Sequence, residues 1–331
     1  MDAIELNNSF LQAAEDKPSV LGPLVSVSMP AFNAERYIGE AIESILSQTY
    51  TNFELIIIDD GSTDQTREII NRYHDTRIVK IFSDQNHGLI STRNKIATLA
   101  KGKYLALLDA DDRALPSRLK IQVEFLETHE VDICGADHWT LNQKNGDLRN
   151  SKQRHSNADI RAMLTVCSPL CNPAVMGKTE IFKSHPYKLT SLHAEDYFFW
   201  AELAIAGYRF ANIPKKLIIY RLHASQTSIN FREEAKNVFK KSQAQYLSGL
   251  GIPVTFLPRA MSLAERLNFG VECLRLLNQK IPGISVGANY EIYARFQHRK
   301  NGILTPLTRL ERWLIALSAS WIGRKGRVSG N

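Results

Sequence analysis

The spacing of apolar positions divides the chain into two regimes. Up to about residue 229, short apolar runs alternate with stretches in which apolar residues recur every third or fourth position. Leu24–Met29 reads as a first strand, Pro30–Asn33 turns the chain, and Ile38, Ala41, Ile42, Ile45 and Leu46 fall on one face of a helix over Ala34–Gln48. Phe53–Ile58 is apolar almost throughout, as a strand buried on both faces of a parallel sheet requires. A helix to about Tyr73, a strand Arg77–Phe82, a helix Leu89–Ala100 and a strand Lys103–Leu108 continue the alternation.

Further along, the pattern predicts a helix over Pro116–Thr128, a strand over Val131–Ala136 and a loop or hairpin over Asn142–Asn157 that would suit a flap. A strand over Asn172–Met176, a short helix over Thr179–Ser184, an aromatic helix opening at Glu195 and a strand-like Leu217–Tyr220 complete this part. Repeated strand-helix units with short links predict an open α/β sheet, mostly parallel, with helices on both faces. From residue 230 the pattern is wholly helical: Phe231–Ser248, Ala260–Leu277, Val286–His298 and Leu307–Ile322. The expected organisation is a leader over residues 1–22, a catalytic domain over 23–229 and a helical, basic extension over 230–331.

Composition excludes several alternatives. A chain of 331 residues with 44% hydrophobic and 23% charged residues is globular by composition. Its four cysteines, Cys134, Cys167, Cys171 and Cys273, contain no C-x-x-C pair and suggest neither a zinc site nor a disulfide framework. No basic segment followed by an apolar one opens the chain, and no run approaches the roughly 18 apolar residues of a membrane span, so the expectation is a soluble, cytoplasmic protein. The net charge of +7 is unevenly placed: residues 230–331 hold 16 Lys and Arg against 6 Asp and Glu, and the first 229 residues are slightly acidic. No pattern of a nucleic-acid-binding module accompanies that basic excess, so no nucleic-acid partner is expected.

Chemistry gathers at strand ends. Lys103–Leu108 terminates in Asp109-Ala110-Asp111-Asp112, and three carboxylates so close repel one another unless water or a cation separates them. Taken alone the turn is a solvated acidic loop or a cation site. Pro30–Asn33 and Asp59–Asp64 also sit at the carboxyl ends of strands, where open α/β sheets bind ligands. Neither a G-x-G-x-x-G fingerprint nor a G-x-x-x-x-G-K-[ST] loop is present, so any phosphates must be neutralised in another way, and a carboxylate-held metal is the obvious candidate.

In these motifs the sequence resembles the family 2 glycosyltransferases. The resemblance covers about residues 24–228 and is carried by Ser26–Glu35, Ser47–Tyr50 with Phe53-Glu54, Ile58–Asp64, and Asn86-His87-Gly88 with Thr92-Arg93-Asn94. Gly102-Lys103-Tyr104, Asp109–Asp112, Glu195-Asp196-Tyr197 and Tyr220-Arg221-Leu222-His223 follow in the family's order. The resemblance implies a GT-A fold and an inverting, metal-dependent transfer of a sugar from a nucleoside-diphosphate donor, a UDP-sugar foremost, to a saccharide or lipid-linked acceptor in surface-polysaccharide assembly. It implies that Pro30, Ala31, Phe32, Asn33 and Glu35 line the nucleotide pocket, that Asp60 accepts the base imide hydrogen, and that Arg93 faces the diphosphate or base. Asp109, Ala110 and Asp111 would border the nucleotide sugar, with Asp109 in support; Asp111, Asp112 and His223 would hold Mn²⁺ or Mg²⁺. Asp196 would be the catalytic base, oriented by Glu195, although acidic residues also open helices for the sake of the dipole.

Two other classes remain open on the sequence. A nucleotidyltransferase uses a related sheet but opens with a glycine-rich basic loop, where this chain has Met29–Asn33. A non-catalytic scaffold at a membrane surface is the third reading. The tail bears on it: Leu307, Leu310, Trp313, Leu314, Leu317 and Trp321 recur at helical spacing beside Arg309, Arg312, Arg324, Lys325 and Arg327. Such a helix suits an anionic membrane surface, and with it a peripheral location on the inner face of the cell membrane.

Overall fold

β1 (Val25–Ala31) and β2 (Phe53–Asp59) are buried at every position, and each is flanked by parallel neighbours. The computed structural model to which they belong describes residues 22–224, 226, 231–253, 263–297, 299–300 and 303–304. The expected leader, apart from Gly22, and the expected amphipathic helix Leu307–Ile322 lie outside the described residues, as does the membrane reading attached to that helix.

Helix α1 (Ile38–Leu46) buries Ile38, Ala41, Ile42 and Ile45 against the sheet, the stripe its spacing predicts. It starts later than Ala34, because Asn33 takes a left-handed φ of 49° and the residues after it form a turn. Next come α2 (Thr66–Asn71), β3 (Ile78–Phe82), α3 (Leu89–Leu99), β4 (Tyr104–Leu107), β5 (Arg113–Ala114), α4 (Arg118–Thr128), β6 (Ile133–Asn142), β7 (Leu148–Ser151) and α5 (Asn157–Met163). The rest are β8 (Met176–Lys178), α6 (Thr179–Ser184), α7 (Glu195–Ile205), β9 (Phe210–Leu222), α8 (Arg232–Gly249), α9 (Leu263–Lys280), α10 (Val286–Gln297) and a small pair, β10 (Arg299–Lys300) and β11 (Ile303–Leu304).

The strand order is β3-β2-β1-β4-β8-β6-β9-β5, with β7 paired to β6. The half built from β3, β2, β1 and β4 is parallel, as the apolar runs predict. Beyond β4 the sheet becomes mixed: β8 is antiparallel to both neighbours, β6 and β9 are parallel, and β5 returns antiparallel to β9. One expected strand changes character. Asn172–Ala174 is a 3₁₀ turn, because Pro173 has no N–H to donate to a ladder, and the strand begins only at Met176. β9 is longer than the expected Leu217–Tyr220, reaching back to Phe210.

Two compact units result. One takes the described residues up to Gln153 together with Leu170–Glu195 and Arg209–Arg232; it contains the whole nine-stranded sheet and a core of β1, β2, β4, α1 and α4 side chains. The other takes Arg154–Pro169, Asp196–Tyr208 and the described residues from Glu233 onward. Its core packs Met163, Leu247, Cys273, Leu277, Ile284, Ile292 and Tyr293, and Ser285 N donates to Asp159 Oδ1 at 2.7 Å. No described helix is long and apolar enough to cross a membrane.

Candidate active site

The Asp109–Asp112 turn is folded by pairing far along the chain. Asp112 N donates to Asp109 O at 3.1 Å, and β5 then runs antiparallel to β9 with Arg113 opposite Ile219. That register lays the turn beside Arg221–His223. Its three carboxylates part company: Asp109 and Asp111 keep 29% and 27% of their side chains accessible, whereas Asp112 is fully buried. Asp112 Oδ1 accepts the Arg221 backbone N–H at 2.8 Å, and its Oδ2 has no hydrogen-bond partner among the described residues. Asp112, expected beside Asp111 at a metal, therefore faces inward and braces the end of β9. Burial, reinforced by the charges of Asp111 and Asp109, pushes its pKa well above the ordinary carboxylate value. Burial and Asp109 raise Asp111 as well, against the lowering effect of His223.

His223 Nε2 lies 2.9 Å from Asp111 Oδ2, and its ring rests against Tyr37 with centroids 4.8 Å apart. Arg221, just before it, is buried, donates to Glu40 Oε2 at 2.6 Å and lies 5.0 Å over the same Tyr37 ring. Tyr37, Glu40 and Arg221 thus frame His223. Only Arg221 lay in a motif; Tyr37 and Glu40 carry no signal apart from their place at the start of α1.

The loops after β1 and β2 are cross-linked. Asn33 N donates to Ser62 Oγ at 2.9 Å, Thr63 N to Asn33 Oδ1 at 2.9 Å, and Ala34 N to Thr66 Oγ1 at 2.7 Å. Glu35 N donates to Asp64 Oδ2 and Gln65 N returns to Glu35 Oε2, at 3.1 and 2.9 Å. Pro30 and Ala31 end the buried strand, while Phe32 is 47% exposed. Asp59 supports the turn: Oδ1 accepts from Ser62 N, and Oδ2 pairs with Arg67 Nε at 3.2 Å. Asp60 is nearly buried, and its two oxygens accept the His87 and Gly88 N–H groups at 3.0 and 2.8 Å. Gly61 is required here, since its φ is 75° and a Cβ would lie 2.6 Å from Gln85 C.

Arg93, expected to face a diphosphate or base, is buried between two carboxylates. Nη2 meets Asp109 Oδ1 at 3.0 Å and Nη1 meets Glu195 Oε1 at 2.7 Å. Burial opposes its charge, but the two carboxylates outweigh that and raise its pKa further. Glu195 is thus engaged by Arg93. Asp196, the next residue, belongs to the second unit, and its Oδ1 accepts Tyr197 N at 2.7 Å in the first turn of α7.

Other motif residues serve the opposite end of the sheet. Ser26 Oγ donates to Glu54 Oε1 at 2.5 Å and accepts Gly102 N at 2.8 Å, while Lys101 N also reaches Glu54 Oε1 at 2.8 Å. Glu54 and Gly102 are therefore framework.

Among the described residues no group of three or more His, Cys, Asp or Glu side chains is spaced to enclose a metal. Mg²⁺ and Mn²⁺ ask less of a protein, typically one or two carboxylates, with water and phosphate oxygens completing the shell. Asp111 with His223 would suit such an ion, because a partly accessible carboxylate and an imidazole nitrogen stand 2.9 Å apart.

The family model described as "Glycosyl transferase family 2" matches residues 26–184. An uncharacterized glycosyltransferase of Haemophilus influenzae is 34% identical over 267 residues, which cover 73% of this chain and 80% of that one. The Escherichia coli UDP-Glc:alpha-D-GlcNAc-diphosphoundecaprenol beta-1,3-glucosyltransferase WfaP is 32% identical over 231 residues, covering 69% of this chain and 87% of its own. Among solved structures, S. aureus TarS 1-349 in complex with UDP-GlcNAc matches with a TM-score of 0.54 at 19% identity over 92% and 91% of the two chains. The Pyrobaculum calidifontis mannosyltransferase PcManGT in complex with GDP-Man and Mn²⁺ matches with a TM-score of 0.51 at 15% identity over 99% and 82%. The two solved structures speak to the fold alone, and that fold is GT-A-like. With more than two thirds of each of these two relatives covered at over 30% identity, the chain belongs to glycosyl transferase family 2 and is a glycosyltransferase.

Proposed function

We propose that this enzyme moves a sugar from a UDP-sugar to a hydroxyl of a lipid-diphosphate-linked saccharide, with inversion, in surface-polysaccharide or glycolipid assembly. The observation that carries this reading is the meeting of Asp111 and His223 at the carboxyl ends of β4 and β9, in a sheet whose β1 and β2 loops are already cross-linked. WfaP, named for a UDP-glucose donor and a diphosphoundecaprenol acceptor, supports the substrate classes. Association with the membrane holding the acceptor goes with them.

In this reading Pro30, Ala31, Phe32, Asn33 and Glu35 border the nucleoside, and Asp60 accepts the uracil imide N–H with lone pairs left over from His87 and Gly88. Asp109, Ala110 and Asp111 border the nucleotide sugar, with Asp109 in support. Asp111 and His223 would hold Mn²⁺ or Mg²⁺, which when bound would supply Lewis-acid stabilisation of the negative charge on the leaving diphosphate. The acceptor oxygen bonds to the anomeric carbon as that carbon's bond to the diphosphate oxygen breaks, and UDP leaves with the electron pair. The hydroxyl proton passes to the Asp196 carboxylate, a role contributing roughly 10²–10⁴ in rate.

The test is a screen of UDP-, GDP- and dTDP-sugars with Mn²⁺ and a diphospholipid-linked GlcNAc acceptor, followed by NMR of the product's anomeric configuration. Turnover of a UDP-sugar with inversion is expected. A strong preference for GDP overturns the role of Asp60, and retention overturns the single displacement.

A further inference from the structure

We propose that Arg93 and Asn94 are positioning residues: a strut on α3 that fixes the Tyr187–Glu195 segment to the Asp109 turn, rather than ligands of the donor. The proposal rests on the site reading above and assigns Arg93 a different task within it.

Four hydrogen bonds and one ring contact carry it. Asn94 clamps one backbone position from both sides: its Nδ2 donates to Tyr187 O at 2.8 Å, and its Oδ1 accepts Tyr187 N at 2.9 Å. A side-chain amide that satisfies both groups of a residue 93 positions away reproduces a strand-like pairing and fixes that residue's place along the helix. Arg93 then bridges Asp109 and Glu195, with the Tyr187 ring 5.7 Å from its guanidinium. One buried cation between two carboxylates leaves that corner with excess negative charge. A diphosphate placed against it would compete with carboxylates already paired at 2.7 and 3.0 Å.

The geometry gives the strut a function. The donor-side carboxylate Asp109 and the segment ending at Glu195, immediately before Asp196, are tied to adjacent residues of one helix. Loosening either tie frees the start of α7 without removing a group that touches the nucleotide. Arg93→Lys keeps the charge but cannot span both carboxylates with a fork. Asn94→Ala removes the clamp and leaves Arg93 in place.

The full-length protein decides the matter in two measurements. Hydrogen exchange on Asn94→Ala is expected to accelerate at least tenfold at the amides of residues 187–195, with β1 and β4 unchanged. Calorimetry with UDP and Mn²⁺ is expected to give affinities for Asn94→Ala and Arg93→Lys within about twofold of wild type. Where the wild type turns over a UDP-sugar, kcat is expected to fall tenfold or more in both variants at unchanged donor KM. Unchanged exchange in Asn94→Ala overturns the strut, whatever the substrate. A tenfold loss of UDP affinity in Arg93→Lys overturns it too and makes Arg93 a donor ligand. Absence of UDP binding to the wild type overturns the donor reading alone, and the exchange result still decides the strut.

Discussion

Asp111 Oδ2 and His223 Nε2 meet at 2.9 Å across 112 positions of sequence. The contact joins the turn after β4 to the end of β9, and the β5–β9 register makes it. Replacing one partner should reveal what the pair holds. Asp111→Asn is expected to cost about 10²–10³ in turnover, the scale of removing one preorganised electrostatic group. His223→Ala is expected to raise the Mn²⁺ concentration for half-maximal activity about tenfold. A Mn²⁺ titration of rate checks both.

Asp112 should behave differently from its neighbour. Asp112→Asn keeps an oxygen to accept the Arg221 N–H, so fold and Mn²⁺ requirement are expected to stay within about twofold of wild type. Asp112→Leu leaves that buried N–H unpaired and is expected to cost about 1–3 kcal/mol in urea denaturation.

Gly102 packs its α-carbon against the backbone of β1. A Cβ there would lie 2.5 Å from Ser26 N and 2.7 Å from Leu24 O, with no flexible side chain to give way. Gly102→Ala is expected to destabilise by about 1–3 kcal/mol, measured by denaturant midpoint, with donor KM of the folded fraction unchanged.

His138 predicts a pH dependence. Burial first, and then the charge of Lys216, lower its pKa from 6.5 to about 4, against the raising effect of Asp137. Between those two values the unfolded chain takes up a proton that the folded chain refuses, so stability falls as pH drops from about 6.5 to 4. His138→Gln is expected to flatten the thermal-midpoint profile over that window.

The parallel half of the sheet was legible because strands buried on both faces are apolar throughout, as Leu55–Ile58 are. The polar clusters after β1, β2 and β4 were legible for a related reason: polar residues stop such apolar strands abruptly at the carboxyl edge of the sheet. The division of labour within Asp109–Asp112 was not, because which carboxylate turns inward is decided by Arg221, more than a hundred residues away. Arg93 illustrates the same limit. A helix arginine in a motif reads as a free cation until the fold delivers Asp109 and Glu195 to its two nitrogens. Glu54 and Gly102 sat in motifs too, and the fold makes them framework, since a recurring pattern marks need without saying of what kind.

The bonds between Asn33–Glu35 and Ser62–Thr66 bear on how fast a ligand is captured. Loops that must be ordered on arrival slow the encounter and give biphasic progress curves; loops already fixed to each other add no such step. Nucleotide association with this face of the enzyme should therefore be a single exponential whose rate rises linearly with concentration.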